Sequence, residues 1–244
     1  MPDIRLIRAE VLKLRRRGGM VALCVALTVA VVVIFFAIRA ILGRDPIGGA
    51  APFDDTIGLL AMAGSVVGVI VGATAGAADI EAGVFRDLVA TGRSRLALFF
   101  ARVPGAWVLV LPILALAVAV AAILATVLSG AGPGPTADDI VGGATQVLVS
   151  GALASAVCVG LAALTGSRGT VIGVALAFQL GVSPLLAQVE AIGDGRYAIP
   201  SVAIARIGGV EDLGLALAAA IAILLAWLVA ALAAGAWRSV TAEI

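Results

Sequence analysis

The chain reads as an all-α integral membrane protein with six transmembrane helices, and three observations predict this. Apolar residues make up 62% of its 244 residues and charged residues only 13%, whereas a soluble domain is nearer half apolar and a quarter charged. Mean hydropathy is +1.19. The apolar residues also fall into six continuous runs, each long enough for the roughly 20 residues that a helix needs to cross a bilayer. These runs lack the alternation of a membrane barrel.

The expected spans are 20–41, 57–78, 99–128, 140–164, 169–190 and 213–236. Cations sort by side of these spans. Arg5, Arg8, Lys13, Arg15, Arg16, Arg17, Arg86, Arg93, Arg95, Arg102, Arg168 and Arg238 fall on one side, against Arg39, Arg44, Arg196 and Arg206 on the other. The positive-inside rule places the richer side in the cytoplasm, with both termini, and makes the chain a multi-pass protein of the cytoplasmic (inner) cell membrane. The first run is too long for a cleaved leader and no small-residue cleavage site follows it.

Before the first span, residues 3–17 form an amphipathic pattern. Ile4, Ile7, Val11 and Leu14 recur at steps of three and four, with cations elsewhere around the helix, so 1–19 is expected to hold an interfacial helix in the headgroup plane. It serves either as an orientation anchor or as an elbow that also touches a partner.

In the second span, Gly64, Gly68, Gly72 and Gly76 recur every four residues and share one helix face. Small residues at this spacing let two helices approach closely in lipid. The pattern leaves open whether the partner helix belongs to this chain or to another. The sixth span carries a weaker stripe of Gly214, Ala218, Ala222, Ala226, Ala230 and Ala234. In the third span, Pro104 and Pro112 predict a break or bend near Arg102–Pro112, and Ser183-Pro184 predicts the same in the fifth.

The stretch 79–98 between the second and third spans holds three acids and several arginines on the cation-rich side. Glycines delimit a short helix expected at 84–90, which would present charge to a cytoplasmic protein. On the opposite side, 191–212 is too apolar for a solvated loop, and a re-entrant or interfacial helix pair is expected there.

Several chemistries are excluded. Lys13, the single Lys, stands in Leu12-Lys13-Leu14, so the chain has no G-x-x-x-x-G-K-[ST] phosphate loop. It has no His, hence no His-based triad. No His or Cys cluster has metal-ligand spacing, and Cys24 and Cys158 lie inside spans as packing residues. No basic, aromatic-interleaved surface points to nucleic acid. Span centres carry almost no charge, which argues against a proton- or sodium-coupled carrier. The few polar groups there, Gln146, Ser150, Ser155, Gln179 and Ser183, suit interhelical hydrogen bonds or, alternatively, a transport path.

Four features in order carry a resemblance: the IRAEVLKLRRR opening, six spans with both ends inside, the DIEAGVFRDLVATGRSRLALFFAR segment, and the semi-apolar outer loop with Pro200. With these the chain resembles the type-2 ABC exporter permeases, the membrane subunits of bacterial exporters, although Val84 stands where that family favours Thr. The resemblance implies a non-enzymatic permease that moves a hydrophobic or amphiphilic drug, lipid or peptide. It implies two cytoplasmic ABC ATPase subunits, which bind the ATP and Mg, and a second permease copy or homologue, with no cofactor held by this chain. Glu81, Gly83, Phe85, Arg86 and Asp87, with Arg93 and Arg95 behind them, would couple to the ATPase. A non-transporting scaffold that recruits some other cytoplasmic protein shares the same topology. A membrane-embedded enzyme would need a catalytic pair that the spans lack.

Overall fold

A computed structural model describes residues 4–43, 47–84, 92, 94–130, 132–188, 190–210 and 214–241. The described residues contain helices and no strand. In chain order these are α1 (Ile4–Arg15), α2 (Gly18–Ile41), α3 (Ala50–Glu81), α4 (Arg95–Val127), α5 (Ala137–Thr165) and α6 (Arg168–Leu176). A π-helical turn, Ala177–Val182, then leads into α7 (Ser183–Gln188). A 3₁₀ segment, Glu190–Ala198, precedes α8 (Pro200–Ile207) and α9 (Leu217–Thr241). Among the described residues, six helical stretches have the length and apolarity to cross a membrane: α2, α3, α4, α5, the continuous run Arg168–Leu186, and α9.

Local chemistry sets the helix ends. Ser94 caps α4 by accepting from the Ala97 amide at 3.2 Å. Thr136 and Asp139 form a reciprocal capping box at the start of α5: the Thr136 amide donates to Asp139 at 2.8 Å and the Asp139 amide to Thr136 Oγ1 at 3.2 Å. Gly166, with φ 72°, ends α5 in the left-handed conformation, and Ser167 caps α6 one residue later.

The spans are unequally enclosed. Across its most apolar window, α3 is 67% buried, while Arg168–Leu186 is only 11% buried. Helices α3, α4 and α5 therefore make the core, and α2, the α6–α7 run and α9 line its periphery. Large apolar side chains on the outer helices point outward, among them Ile34, Ile38, Val174, Leu225 and Val229. That is the arrangement a hydrocarbon solvent favours.

The glycine stripe of α3 settles its own partner: it is α5 of the same chain. A Cβ placed on Gly68 would lie 2.5 Å from the Gly151 carbonyl oxygen, and one on Gly76 would lie 2.6 Å from that of Val159. At Gly72 a Cβ would enter the Ser155 backbone, with Cα only 2.7 Å away. A Cβ on Gly64 would lie 3.2 Å from the Leu114 side chain and 3.5 Å from the Val147 carbonyl oxygen. The facing positions Val147, Gly151, Ser155 and Val159 also recur every four residues, so two matching stripes mesh along the helices. Ser150 adds an interhelical hydrogen bond to the Ala61 carbonyl at 2.5 Å.

Other expectations need correction. The alanine stripe of the last span does not pack inward: Ala218, Ala222, Ala226 and Ala230 are exposed. The inner face of α9 instead carries Ala220, Leu224, Ala231, Gly235 and Ser239. There Gly235 meets Gly160 of α5, whose carbonyl oxygen would lie 2.6 Å from an added Cβ. Composition misled because small residues occur on every face of this helix. The third span does not break: α4 runs from Arg95 to Val127 through Pro104 and Pro112. In the fifth span the irregularity is the π-helical turn just before Ser183-Pro184, a wide turn that accommodates a proline lacking its N–H donor. Residues 190–207 do form the expected pair of short helices, kinked at Gly193 with φ 54°. That pair is held to α9 by Trp227 Nε1 donating to the Ala198 carbonyl at 3.0 Å, and to the segment just before α9 by Arg206 Nε donating to the Leu215 carbonyl at 2.8 Å.

Candidate functional site

One end of the bundle gathers α1, the end of α3, the start of α4, the start of α6 and the end of α9. Within it lies a cluster of four charges. Lys13 Nζ of α1 sits 2.7 Å from Glu10 Oε2 and 2.8 Å from Asp79 Oδ2 of α3. Asp79 Oδ2 also meets Arg102 Nη2 of α4 at 3.3 Å, and Arg102 Nη1 donates to the Gly76 carbonyl at 2.8 Å. Arg102 is 1% exposed, Asp79 5% and Glu10 8%. Two cations and two carboxylates balance, which is the condition under which charges tolerate burial. Glu10 also packs against Gly105: a Cβ there would fall 2.8 Å from that of Glu10. Glycine thus lets α1 lie close on α4.

The cluster was not expected from the sequence. A signal existed: Ile7, Glu10 and Leu14 share one face of α1, so an acid stood inside the apolar stripe. Asp79 and Arg102 read as loop-edge charges because nothing local reveals that α3 and α4 bring them together. The expected apolar face is correct at its end, where Leu14 is fully buried, but Ile4 is 65% exposed.

The residues expected to couple to a partner divide into three groups. Glu81 is engaged within the chain: its carboxylate meets Arg168 Nε at 3.1 Å and accepts from the Arg168 amide at 2.7 Å, closing the start of α6. Gly83 terminates α3. With φ 70° it donates its amide to the Ile80 carbonyl while the Val84 amide reaches that of Asp79, both at 3.1 Å, the paired bonds of a Schellman motif. Arg95 donates to the Val240 carbonyl at 3.2 Å, tying α4 to the end of α9. Phe85, Arg86, Asp87 and Arg93, with residues 85–90 of the helix expected at 84–90, lie outside the described residues.

A second feature lies deeper in the bundle. A cavity of about 250 Å³ opens between α3, α5, α6, the π-helical turn, α8 and α9. Its wall is apolar except for Ser65, Ser150, Gln179, Ser201 and the edge of Trp227. Ser65 and Ser150 spend their hydroxyl protons on backbone carbonyls, so the cavity presents few free donors. Ser183 and Ser201 share a hydrogen bond at 3.0 Å that links α7 to α8. Three of the five polar span residues thus act on walls and joints: Ser150 and Gln179 line the cavity and Ser183 ties helices. Cys24 and Cys158 are buried free thiols, as packing residues should be. Among the described residues no group of three or more His, Cys, Asp or Glu could hold a metal.

Comparison with protein-family models finds no match to this chain, and comparison with curated proteins finds none either.

Proposed function

We propose that the chain is the permease subunit of an ATP-driven exporter of the type-2 ABC class, working with a separate cytoplasmic ATPase. The observation that supports this most directly is the Glu10–Lys13–Asp79–Arg102 cluster. It joins the helix before the charged 82–94 connection, the helix after it, and α1. A push on that connection is then delivered to α3 and α4 as a unit, with α1 carried along. The tight α3–α5 contact would pass the displacement into the core.

Under this reading the end holding α1 faces the cytoplasm, as the sorting of cations requires. Lys13 is committed to two carboxylates, so the fuel site must belong to the partner. Two permeases would pair with two ATPases, and substrate would pass between the membrane halves. The nearly uncharged cavity beside α3, α5 and α9 suits an apolar or amphiphilic cargo better than a charged one.

Affinity purification in mild detergent tests the reading. A P-loop ATPase is expected to co-elute at near-equal stoichiometry, and Arg86→Glu is expected to release it without changing insertion. A folded, inserted chain that recruits some other protein would favour a scaffold. Solute movement by the purified chain alone in vesicles would overturn the proposal.

A further inference from the structure

At the same end of the bundle, but outside the charge cluster, a groove of about 650 Å³ runs between the start of α2 and the α3–α6 pair. Its rim is basic and its floor apolar. Arg16 and Arg17, from the α1–α2 turn, stand on one side, and Arg168, more than 150 positions along the chain, stands on the other. Leu23, Ile70 and Ile172 line the floor. Among the described residues no acidic side chain lines the groove. Arg168 shares its charge with Glu81, whereas Arg16 and Arg17 form no ion pair with any described residue.

We propose that this groove binds one anionic glycerophospholipid, with its phosphate on the arginine rim and an acyl chain along the floor. Three features select this occupant. Among the described residues the positive rim has no built-in counter-charge beyond Glu81. The division into a polar edge and an apolar floor matches a lipid and not a soluble anion: Leu23 lies five residues past Gly18, about 7.5 Å deeper along α2. And the backbone at the rim is open, because a Cβ on Gly18 or Gly19 would meet nothing within 4 Å. The N-cap residue of α2, Arg17, makes no side-chain cap, so the helix's N-terminal dipole adds to the attraction. Basic pockets between helices at a membrane surface recognise lipid headgroups by this chemistry. The proposal stands whether or not the chain is an exporter.

Native mass spectrometry of the purified full chain from mixed phosphatidylglycerol and phosphatidylcholine micelles tests it. Wild-type protein is expected to retain phosphatidylglycerol in clear excess. Arg16→Gln with Arg17→Gln should lower that retention roughly tenfold, since each cation near an anionic lipid surface contributes substantially. Arg16→Lys with Arg17→Lys should keep most of it, and Arg238→Gln at the exposed end of α9 should keep all of it. Arg16 and Arg17 also help orient the chain, so a competition on wild-type protein accompanies the variants: added phosphatidylglycerol should displace bound lipid and inorganic phosphate should not. Equal retention of the two lipids would overturn the proposal. So would an equal loss in Arg238→Gln, which indicates diffuse surface charge, or displacement by inorganic phosphate, which indicates a free-anion site.

Discussion

Replacing Asp79 by Asn keeps the side-chain shape and removes the charge that Lys13 and Arg102 share. Arg102 would then be buried without its counter-ion. Breaking one side of a buried pair typically costs about 3–5 kcal/mol, so Asp79→Asn should lower the thermal unfolding midpoint in detergent well beyond the scatter of surface variants. Replacing both partners, Asp79→Leu with Arg102→Met, should cost less than either single change, because no charge is left stranded. An Asp79→Asn protein as stable as wild type would show that the cluster does not hold the three helices together. Gly83 makes a smaller and separate demand. Its φ of 70° suits glycine alone among common residues, and Gly83→Ala should cost about 1 kcal/mol through the lost Schellman end, read as a modest fall in the same midpoint. At Glu81 the helix start it closes explains its place without any partner: Glu81→Gln should loosen α6 and raise hydrogen exchange at the Arg168 amide.

Among the helices, the α3–α5 contact is where backbone approach is closest. Gly72→Leu has no room, because the atoms it would displace belong to the Ser155 backbone and not to a flexible side-chain tip. Overpacking of this kind costs about 1–3 kcal/mol or more, and here it must also separate two helices along their length. Gly58 lies on the same helix with nothing within 4 Å of an added Cβ. Gly58→Ala should therefore be neutral where Gly72→Leu yields aggregated protein, as measured by the monodisperse fraction on size exclusion in detergent. Equal behaviour of the two would refute the meshed-stripe account. The same logic explains α9. Its inner face is set by Gly235 and Ala231 against Gly160, while the evenly spaced alanines face outward.

For the molecule as a whole, the two ends of the bundle differ in charge, and the proposed topology rests on that difference. In a background with Cys24 and Cys158 replaced by Ala, Gly169→Cys should react with an impermeant thiol reagent only in inverted vesicles. Gly43→Cys should react only in right-side-out ones. The reverse result would place α1 and the charge cluster outside the cell and remove the basis for a cytoplasmic partner. Burial is graded across the spans, from 67% in α3 to 11% in Arg168–Leu186. The least enclosed run also carries the π-helical turn and one wall of the cavity, so little of it is clamped between neighbouring helices. Motion that opens the cavity is expected there first, and hydrogen exchange faster at 177–188 than in α3 would register it.

By itself the sequence determined the solvent, the number of spanning helices, several of their ends and the charge sidedness. These follow from local quantities: apolar run length and the count of cations between runs. It also marked the α3 glycine face, because a four-residue period is a property of one helix. Tertiary structure alone decided that this face meets α5, that the alanines of α9 turn outward, and that Glu10, Lys13, Asp79 and Arg102 share one buried site. The reason is that each of these depends on which helices become neighbours. In a chain where nearly every surface is apolar, hydrophobicity says that helices lie in lipid but not which faces touch; close backbone approach and charge pairing between distant segments make that choice.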